Sequence, residues 1–398
     1  MTIHHPLSTA GFSWDTLNAM VGGHSAVDIP ALRLRTEEHA RAYLAAYGYD
    51  TGDPTERATL ERHRIEAIEF IEGELIDPGE LRVPPALREE RDVARLLLLA
   101  SADRRDETQR WACALLRVMH TVSHAHSSLE ERYGAQIREQ IIARFQPHVV
   151  EGPAGVTLGA GPDAIPLSRF EIKANKSRRS TILKLLHKVE NVAADIFDQV
   201  GLRFVTRERF DALLVVRYLR TNNVVVFGNV KPSRSRNTLI DMEWLRREME
   251  DLDERVEAGD LRDGDRLDAL RASVRSLPFP PPPEGHSNPH SSTFYRALQF
   301  TARQQIRIPN PLRESLEETI AGLPDTAEAQ AVARTLRAQL DREQDLRIFF
   351  PYEVQVLDEE AWQLSRSGLA AHDVYKARQR ETVRRRVLGG LLRTPPRG

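Results

Sequence analysis

The sequence has little that would place it in a specialised class of protein. It holds one cysteine, Cys113, among 398 residues, which excludes an internal disulfide and favours a reducing compartment. Its 56 Lys and Arg nearly balance its 58 Asp and Glu, so no overall charge excess points to nucleic acid. With 41% hydrophobic and 29% charged residues, the composition is that of an ordinary soluble protein.

The sequence also lacks secretion and membrane signals. Residues 1–9 do not follow the charged-then-apolar order of a signal peptide, and apolar runs such as residues 111–116 are too short to cross a bilayer. We therefore expect a cytoplasmic protein without a membrane partner. Cys113 lies in that apolar run, where core packing is a simpler expectation than reactivity.

The chain length suits two hydrophobic cores. Helical apolar spacing predicts an all-helical region over residues 1–150, and a Gly/Pro-rich passage at residues 152–166 is the boundary candidate. Residues 167–398 are predicted to form the second domain, with charged helical insertions at about 237–285 and 311–345. The predicted class is α+β, with a mixed, mostly antiparallel sheet of about five strands flanked by helices.

The strand predictions rest on short β-branched or apolar runs. They cover residues 202–205, 223–230, 295–308 and 347–357. A basic helix is predicted over residues 177–198, directly ahead of the first of these strands.

Lys176, Ser180 and Lys184 are spaced four residues apart. On a helix these side chains project from one face, one turn apart. Two ammonium groups and a hydroxyl in that arrangement can hold a polyphosphate. A solvated basic helix face has the same spacing, so the pattern alone leaves both interpretations open.

Two acids lie far apart in the sequence, Asp198 before one predicted strand and Glu353 on another. Arg203 follows Asp198, and strand alternation puts Glu353 and Gln355 on one face. Two converging carboxylates are the ligands that Mg²⁺ prefers when it also contacts substrate phosphates. Each acid by itself is more typical of a surface or ion-paired carboxylate.

Three sequence blocks resemble the RelA/SpoT-type alarmone synthetases, a family that includes short single-domain relatives and toxic synthetases. Residues 176–185, KSRRSTILKL, resemble the helix that holds the ATP phosphates, and residues 196–205, IFDQVGLRFV, are similar to the segment with the metal-binding aspartate. Residues 353–357, EVQVL, and 368–372, GLAAH, are similar to the family's Glu-x-Gln strand and following helix. The resemblance covers about half of the chain and implies a nucleotidyltransferase-like fold.

The resemblance implies an activity and its ATP-binding residues. The activity is transfer of the β,γ-pyrophosphate of ATP to the 3′-hydroxyl of a guanine nucleotide, with Mg²⁺ as cofactor. Lys176, Ser180 and Lys184 would hold the ATP phosphates.

The other matching residues would act on the transferred group and its acceptor. Asp198 would bind Mg²⁺, and Glu353 would be a second metal ligand or accept the proton of the attacking hydroxyl. Arg203 would stabilise the charge that develops during transfer, and Gln355 would orient the acceptor.

The sequence departs from the family pattern at two places. Ala174 stands where the family has an arginine beside the adenine, so the sequence lacks that contact with ATP. The acceptor loop lacks the family's tyrosine, so His290 and Tyr295 are the candidates to stack on a base, with core packing as the alternative for Tyr295. Lys231 matches a basic residue that the family places ahead of this loop.

These departures leave three functions open. The first is an alarmone synthetase. The second is a toxin-like pyrophosphotransferase acting on tRNA or an adenine nucleotide, to which the basic residues 376–397 would contribute. The third is a catalytically degenerate protein that binds nucleotide or regulates a partner. A protein partner such as an antitoxin is compatible with each, and the sequence does not indicate an oligomeric state.

His120 and His124 share one face of a predicted helix. Two imidazoles without a nearby carboxylate are typical of surface or core histidines rather than of a metal site. The His-Asp and Glu-Asp pairs of the hydrolase half of long family members are missing, so alarmone breakdown is not predicted.

Overall fold

The structure is a computed structural model of a mixed α+β protein, and it describes most of the chain. The described residues are 25–28, 32–102, 106–125, 128–153, 155–173, 177–187, 200–280, 295–342, 345–366 and 372–392. The chain divides into two compact units, each with its own hydrophobic core. The helical unit comprises Met1–Ser127, Lys176–Ile196 and His372–Gly398, and the sheet unit comprises Ser128–Asn175 and Phe197–Ala371.

Helices account for most of the regular structure. In chain order they are α1 Glu37–Ala46, α2 Pro54–Phe70, α3 Pro85–Glu89, α4 Val93–Ser101, α5 Glu107–Ala125, α6 Ser128–Ala143, α7 Arg178–His187, α8 Arg209–Thr221, α9 Met242–Glu257, α10 Arg266–Ser276, α11 Pro311–Ala321, α12 Ala327–Arg342, α13 Glu359–Arg366 and α14 His372–Leu388. Within the described residues, none of these helices is both long and apolar enough to span a membrane.

The helical unit is built around α5. Its residues Trp111, Leu115, Val118 and Val122 recur at helical spacing and are fully buried, so they form one apolar stripe. Helix α7 joins the same core through Ile182 and its neighbours, and α14 joins it near its carboxyl end. The helix that was predicted to hold ATP phosphates therefore belongs to the helical unit.

The sheet unit contains one seven-stranded mixed sheet. Its strands are β1 Val149–Gly152, β2 Gly155–Leu158, β3 Ile165–Ile172, β4 Val200–Thr206, β5 Arg236–Asn237, β6 Leu298–Ile308 and β7 Leu346–Asp358. They lie in the order β1-β2-β3-β4-β7-β6-β5. The β4 and β7 strands are parallel and the other neighbours are antiparallel, so the prediction of a mostly antiparallel mixed sheet is confirmed, with more strands than expected.

Alternation along β7 separates an apolar face from a polar one. Tyr352, Val354 and Val356 are buried in the core, where the Tyr352 ring meets the Phe145 ring that follows α6, with centroids 5.6 Å apart. Glu353 and Gln355 point to the other face, as alternation predicted. Both are nevertheless buried, because neighbouring polar side chains cover them.

Two sequence predictions for this unit need correction. The Gly/Pro-rich passage at residues 152–166, predicted as the domain boundary, lies inside the sheet unit and contains its hairpin strands. The strand predicted at residues 223–230 is wrong, since these residues form a turn and a short 3₁₀ helix at Phe227–Asn229. Asn223 takes a left-handed φ of 55°, and Arg144 donates hydrogen bonds to the carbonyls of Asn223 and Val224, so this backbone is satisfied without a neighbouring strand.

The two charged helical segments lie where insertions were predicted. Helices α9 and α10 separate β5 from β6, and α11 and α12 separate β6 from β7. Helix α9 begins at Asp241, whose side chain accepts hydrogen bonds from the backbone N–H groups of Glu243 and Trp244. The predicted closing helix, residues 359–392, is described as α13 and α14, with residues 367–371 outside the described part.

Candidate functional site on the polar sheet face

A row of polar side chains crosses the middle of the sheet. Glu171, Arg203, Gln355, Gln299 and Arg236 are paired in register on β3, β4, β7, β6 and β5. Paired residues on neighbouring strands direct their side chains to the same face. The sheet therefore assembles five polar residues from five strands into one line, which we call the polar row.

Hydrogen bonds join four members of the polar row. Arg203 Nη1 donates to Glu171 Oε2 over 3.0 Å, and its Nε and Nη2 both donate to Gln355 Oε1 over 3.2 Å. Gln355 Nε2 donates to Gln299 Oε1 over 3.2 Å. Arg203 is thus held in one orientation between a carboxylate and an amide, and Gln355 is oriented from both sides.

Glu353 lies one pleat along β7 from the polar row and is 7% exposed. Its Oε1 accepts hydrogen bonds from Lys173 Nζ at 2.9 Å and Gln355 Nε2 at 2.8 Å. Its Oε2 accepts one from Gln299 Nε2 at 2.6 Å. Three donors therefore compensate the buried carboxylate, as a buried charge requires.

Gly201 makes the contact between Lys173 and Glu353 possible. Gly201 is the β4 partner of Glu353, and a Cβ atom at this position would lie 2.6 Å from Lys173 Cδ. The Lys173 backbone is also fixed, because its N–H donates to the Gly201 carbonyl and its carbonyl accepts a hydrogen bond from Arg138. The aliphatic part of the Lys173 side chain packs over Gly201, and its ammonium group therefore contacts the Glu353 carboxylate.

Tyr295 and Lys231 lie beside this site. The Tyr295 hydroxyl is buried and has no hydrogen-bond partner among the described residues. Burial raises the pKa of Tyr295, and the Glu353 charge raises it further. The Lys231 N–H donates to the carbonyl of Thr301, the β6 partner of Glu353. The structure thus brings Arg203, Glu353 and Gln355 together, with Tyr295 and the Lys231 backbone beside them.

The charge of this face favours an anionic ligand. Lys173, Arg203 and Arg236 supply three cations against the two carboxylates of Glu171 and Glu353. Proteins commonly bind phosphate through the guanidinium group of arginine and the ammonium group of lysine. The polar face can therefore accept a phosphate-bearing molecule after local rearrangement of its own ion pairs.

The remaining predicted site residues belong to the helical unit or lie outside the described residues. Ser180 and Lys184 lie on α7 in the helical unit, where the Ser180 hydroxyl is 2.9 Å from the Ser177 hydroxyl and Lys184 is half-buried. Lys176, Asp198 and His290 lie outside the described residues, and so does residue 174.

Glu353 is the predicted magnesium ligand that lies within the described residues. Glu353 offers a carboxylate, but both oxygens accept hydrogen bonds and one is paired with an ammonium group. No group of three or more His, Cys, Asp or Glu side chains within the described part of the chain is placed to hold a metal ion. These residues therefore do not form a Mg²⁺ site by themselves.

The basic carboxyl-terminal helix is largely ion-paired within the helical unit. Arg380 pairs with Asp77 at 2.7 Å, and Arg384 and Arg386 pair with Glu80 and Asp28. Paired arginines carry less charge for an RNA backbone than free ones. The described part of α14 thus gives weaker support to an RNA-binding tail than its sequence does.

Sequence reasoning missed Glu171, Lys173 and Gln299. Glu171 and Lys173 are two residues apart at the end of β3, the spacing that puts side chains on one strand face, but β3 itself was not predicted. Gln299 lies on a predicted strand, and only the register of β6 against β7 places it beside Glu353.

Comparison with known proteins adds no family assignment. No protein-family model matches the chain, and no curated protein matches it significantly.

Proposed function

We propose that the chain is a nucleotide pyrophosphotransferase of the RelA/SpoT type with a nucleotidyltransferase-like sheet. The observation that carries the proposal is the arrangement of Arg203, Gln355 and Glu353, which occupy adjacent positions on two parallel strands and share hydrogen bonds. These are the residues of the Glu-x-Gln strand and the strand arginine in the sequence resemblance. The surplus of cations on the same face supports a phosphorylated substrate.

The proposed reaction transfers the β,γ-pyrophosphoryl group of ATP to a 3′-hydroxyl of GDP or GTP. The 3′-oxygen bonds to the β-phosphorus, the bond from that phosphorus to the oxygen it shares with the α-phosphate breaks, and AMP leaves. The hydroxyl proton passes to Glu353 once its carboxylate is released by Lys173. Arg203 neutralises charge that accumulates on the transferred group, because its guanidinium is already oriented by Glu171 and Gln355.

Ser180 and Lys184 are proposed to bind the ATP phosphates, together with Lys176. Their support is the four-residue spacing and their position on a formed helix, α7, where both are half-buried. Positioning and charge neutralisation would supply most of the rate enhancement in a reaction of this class.

Incubation of the purified chain with γ-³²P ATP, Mg²⁺ and GDP or GTP tests the proposal. A labelled product carrying a 3′-pyrophosphate is expected, and Glu353→Gln and Arg203→Ala should each reduce its formation by about 10²-fold or more. The matched control is Arg246→Ala, because Arg246 is a 72% exposed arginine on α9, outside the sheet, and should leave the rate unchanged. Absence of product from every nucleotide acceptor would refute the transferase.

A nucleotide-binding protein without transferase activity is the second candidate. The observation in its favour is the state of Glu353, whose two oxygens are both engaged by protein donors. Calorimetric binding of a non-hydrolysable ATP analogue that Lys184→Met weakens, together with no labelled product from GDP, GTP, ATP or tRNA, would favour this candidate over the transferase.

A further inference from the structure

The helical unit contains a cavity of its own. Its volume is about 230 Å³, and aliphatic side chains such as Leu44, Leu97 and Met119 form part of its wall. Tyr43 and Tyr47 also line it, and each is more than a third exposed, so their rings reach the surface. An apolar protein cavity of about 150 Å³ is enough to bind benzene. This cavity therefore has room for a one- or two-ring molecule.

Tyrosine and histidine side chains supply several of the polar atoms of the cavity wall. The Tyr47 hydroxyl lies within hydrogen-bond distance of His120 Nδ1 and 3.1 Å from His124 Nε2. A second pair joins the Tyr49 hydroxyl to His63 Nδ1 at 3.3 Å. Phenol and neutral imidazole groups each donate and accept, so the wall can exchange one of these bonds for a bond to a ligand.

The Tyr47 and His120 side chains of the wall are uncharged at neutral pH. Burial lowers the pKa of His120 to about 4 and raises the pKa of Tyr47 to about 12. Arg117 is the only charged side chain among the described residues of the wall, and its Nη1 donates to the carbonyls of Arg386 and Val387 near the end of α14. The wall therefore has aromatic and aliphatic surface with neutral hydrogen-bonding groups.

We propose that this cavity is a binding site for a small, uncharged aromatic molecule of about ten non-hydrogen atoms with one hydrogen-bonding group, such as an indole or a phenol. The aromatic ring would pack against the tyrosine and leucine side chains. Its polar group would bond to the Tyr47–His120 pair. This site lies within the helical unit and does not depend on the proposed transferase activity.

Calorimetric titration of the full chain with indole is the deciding measurement. A ligand of this size is expected to bind with a Kd of about 0.1–1 mM. Benzoate, which has a similar ring but carries a negative charge, should bind at least about tenfold more weakly because that charge would lose its hydration. Among the described residues of the wall the cation is Arg117, and its Nη1 already donates to two main-chain carbonyls. No binding of indole at 5 mM, roughly fivefold above the weakest expected Kd, would overturn the proposal, and so would tighter binding of benzoate than of indole.

Cys113 can be used to test where the ligand binds, because it lines the cavity and is the only cysteine in the sequence. Cys113→Phe adds a ring to the wall and should abolish indole binding, whereas the matched control Cys113→Ala should keep it.

If Cys113→Phe does not fold, alkylation of Cys113 by iodoacetamide in the wild-type protein gives the same information. Indole at ten times its Kd should slow that alkylation about tenfold, since only about one molecule in eleven stays unliganded. Indole binding that leaves the alkylation rate unchanged, or that survives in Cys113→Phe, would show that the ligand binds elsewhere.

Discussion

The ammonium group of Lys173 lies 2.9 Å from Glu353 Oε1, although 180 residues separate the two in the sequence. Glu353 is almost fully buried, whereas the Lys173 side chain is 29% exposed, so the ion pair has one buried and one partly exposed member. A buried carboxylate that loses its cation remains uncompensated, whereas removal of both charges together costs much less. The ion pair therefore links the stability of the sheet to the ability of Glu353 to accept the proton in the proposed reaction.

Lys173→Met should destabilise the sheet unit by about 1–3 kcal/mol, because Glu353 keeps only its two amide donors. In Lys173→Met/Glu353→Gln the loss should be smaller than the sum of the two single losses. Urea unfolding of the four proteins in this double-mutant cycle measures the coupling. Additive losses would mean that the two side chains have no measurable interaction energy.

Gly201→Ala should displace the Lys173 side chain. The new Cβ atom would lie 2.6 Å from Lys173 Cδ, so the lysine must move away from Glu353, and we expect a loss of about 1–3 kcal/mol. Gly228→Ala is the matched control, since a Cβ atom there meets nothing within 4 Å, and its effect should stay within about 0.5 kcal/mol. Unfolding midpoints compare the two variants, and equal losses would contradict a specific role for Gly201.

The sequence predicts the helices and the long strands well because their signals are local. Helix α4 shows this, since Asp92 caps its first turn and Leu96, Leu97 and Ala100 form its buried face. The short strands β1 and β2 could not be predicted in the same way. Their passage is rich in glycine, and Gly155 and Gly159 have positive φ values that form turns between strands, a pattern that also fits a linker.

The sequence predicts only part of the candidate site, for a related reason. Alternation along one strand predicts that Glu353 and Gln355 share a face, and the structure shows that they do. The contacts of Gln299 and Lys173 with Glu353 depend on the register between strands, which is a property of the whole sheet. The apolar face of α7 likewise predicts that the helix is buried but not which core it joins.

Acid should destabilise the helical unit through His120. Burial lowers the pKa of His120 from 6.5 to about 4, so the unfolded chain binds a proton at a higher pH than the folded chain. This contribution to stability is complete above pH 6.5 and is lost as the pH falls from 6.5 toward 4, by at most about 3 kcal/mol.

His120→Gln removes that titration, so the free energy of unfolding should fall less steeply between pH 6.5 and 4 than in the wild type. Chemical unfolding at several pH values, followed by far-ultraviolet circular dichroism, measures the slope. Identical slopes in the two proteins would show that burial does not hold His120 in its neutral form.

The arginines of α14 should contribute to stability rather than to RNA binding. The Arg384 side chain is 13% exposed, donates to the Leu75 carbonyl over 3.1 Å and pairs with Glu80. Arg384→Ala should therefore destabilise the helical unit by about 1–3 kcal/mol. Arg385 is the control on the same helix, because its side chain is 74% exposed and pairs only one turn away with Glu381, and Arg385→Ala should cost less than about 0.5 kcal/mol. Thermal unfolding measures the stability of the two variants against the wild type.

A tRNA titration of the wild-type protein at 50 and 200 mM salt should give no more than weak binding. Tight, salt-sensitive tRNA binding that Arg384→Ala weakens without loss of stability would instead assign this helix to RNA.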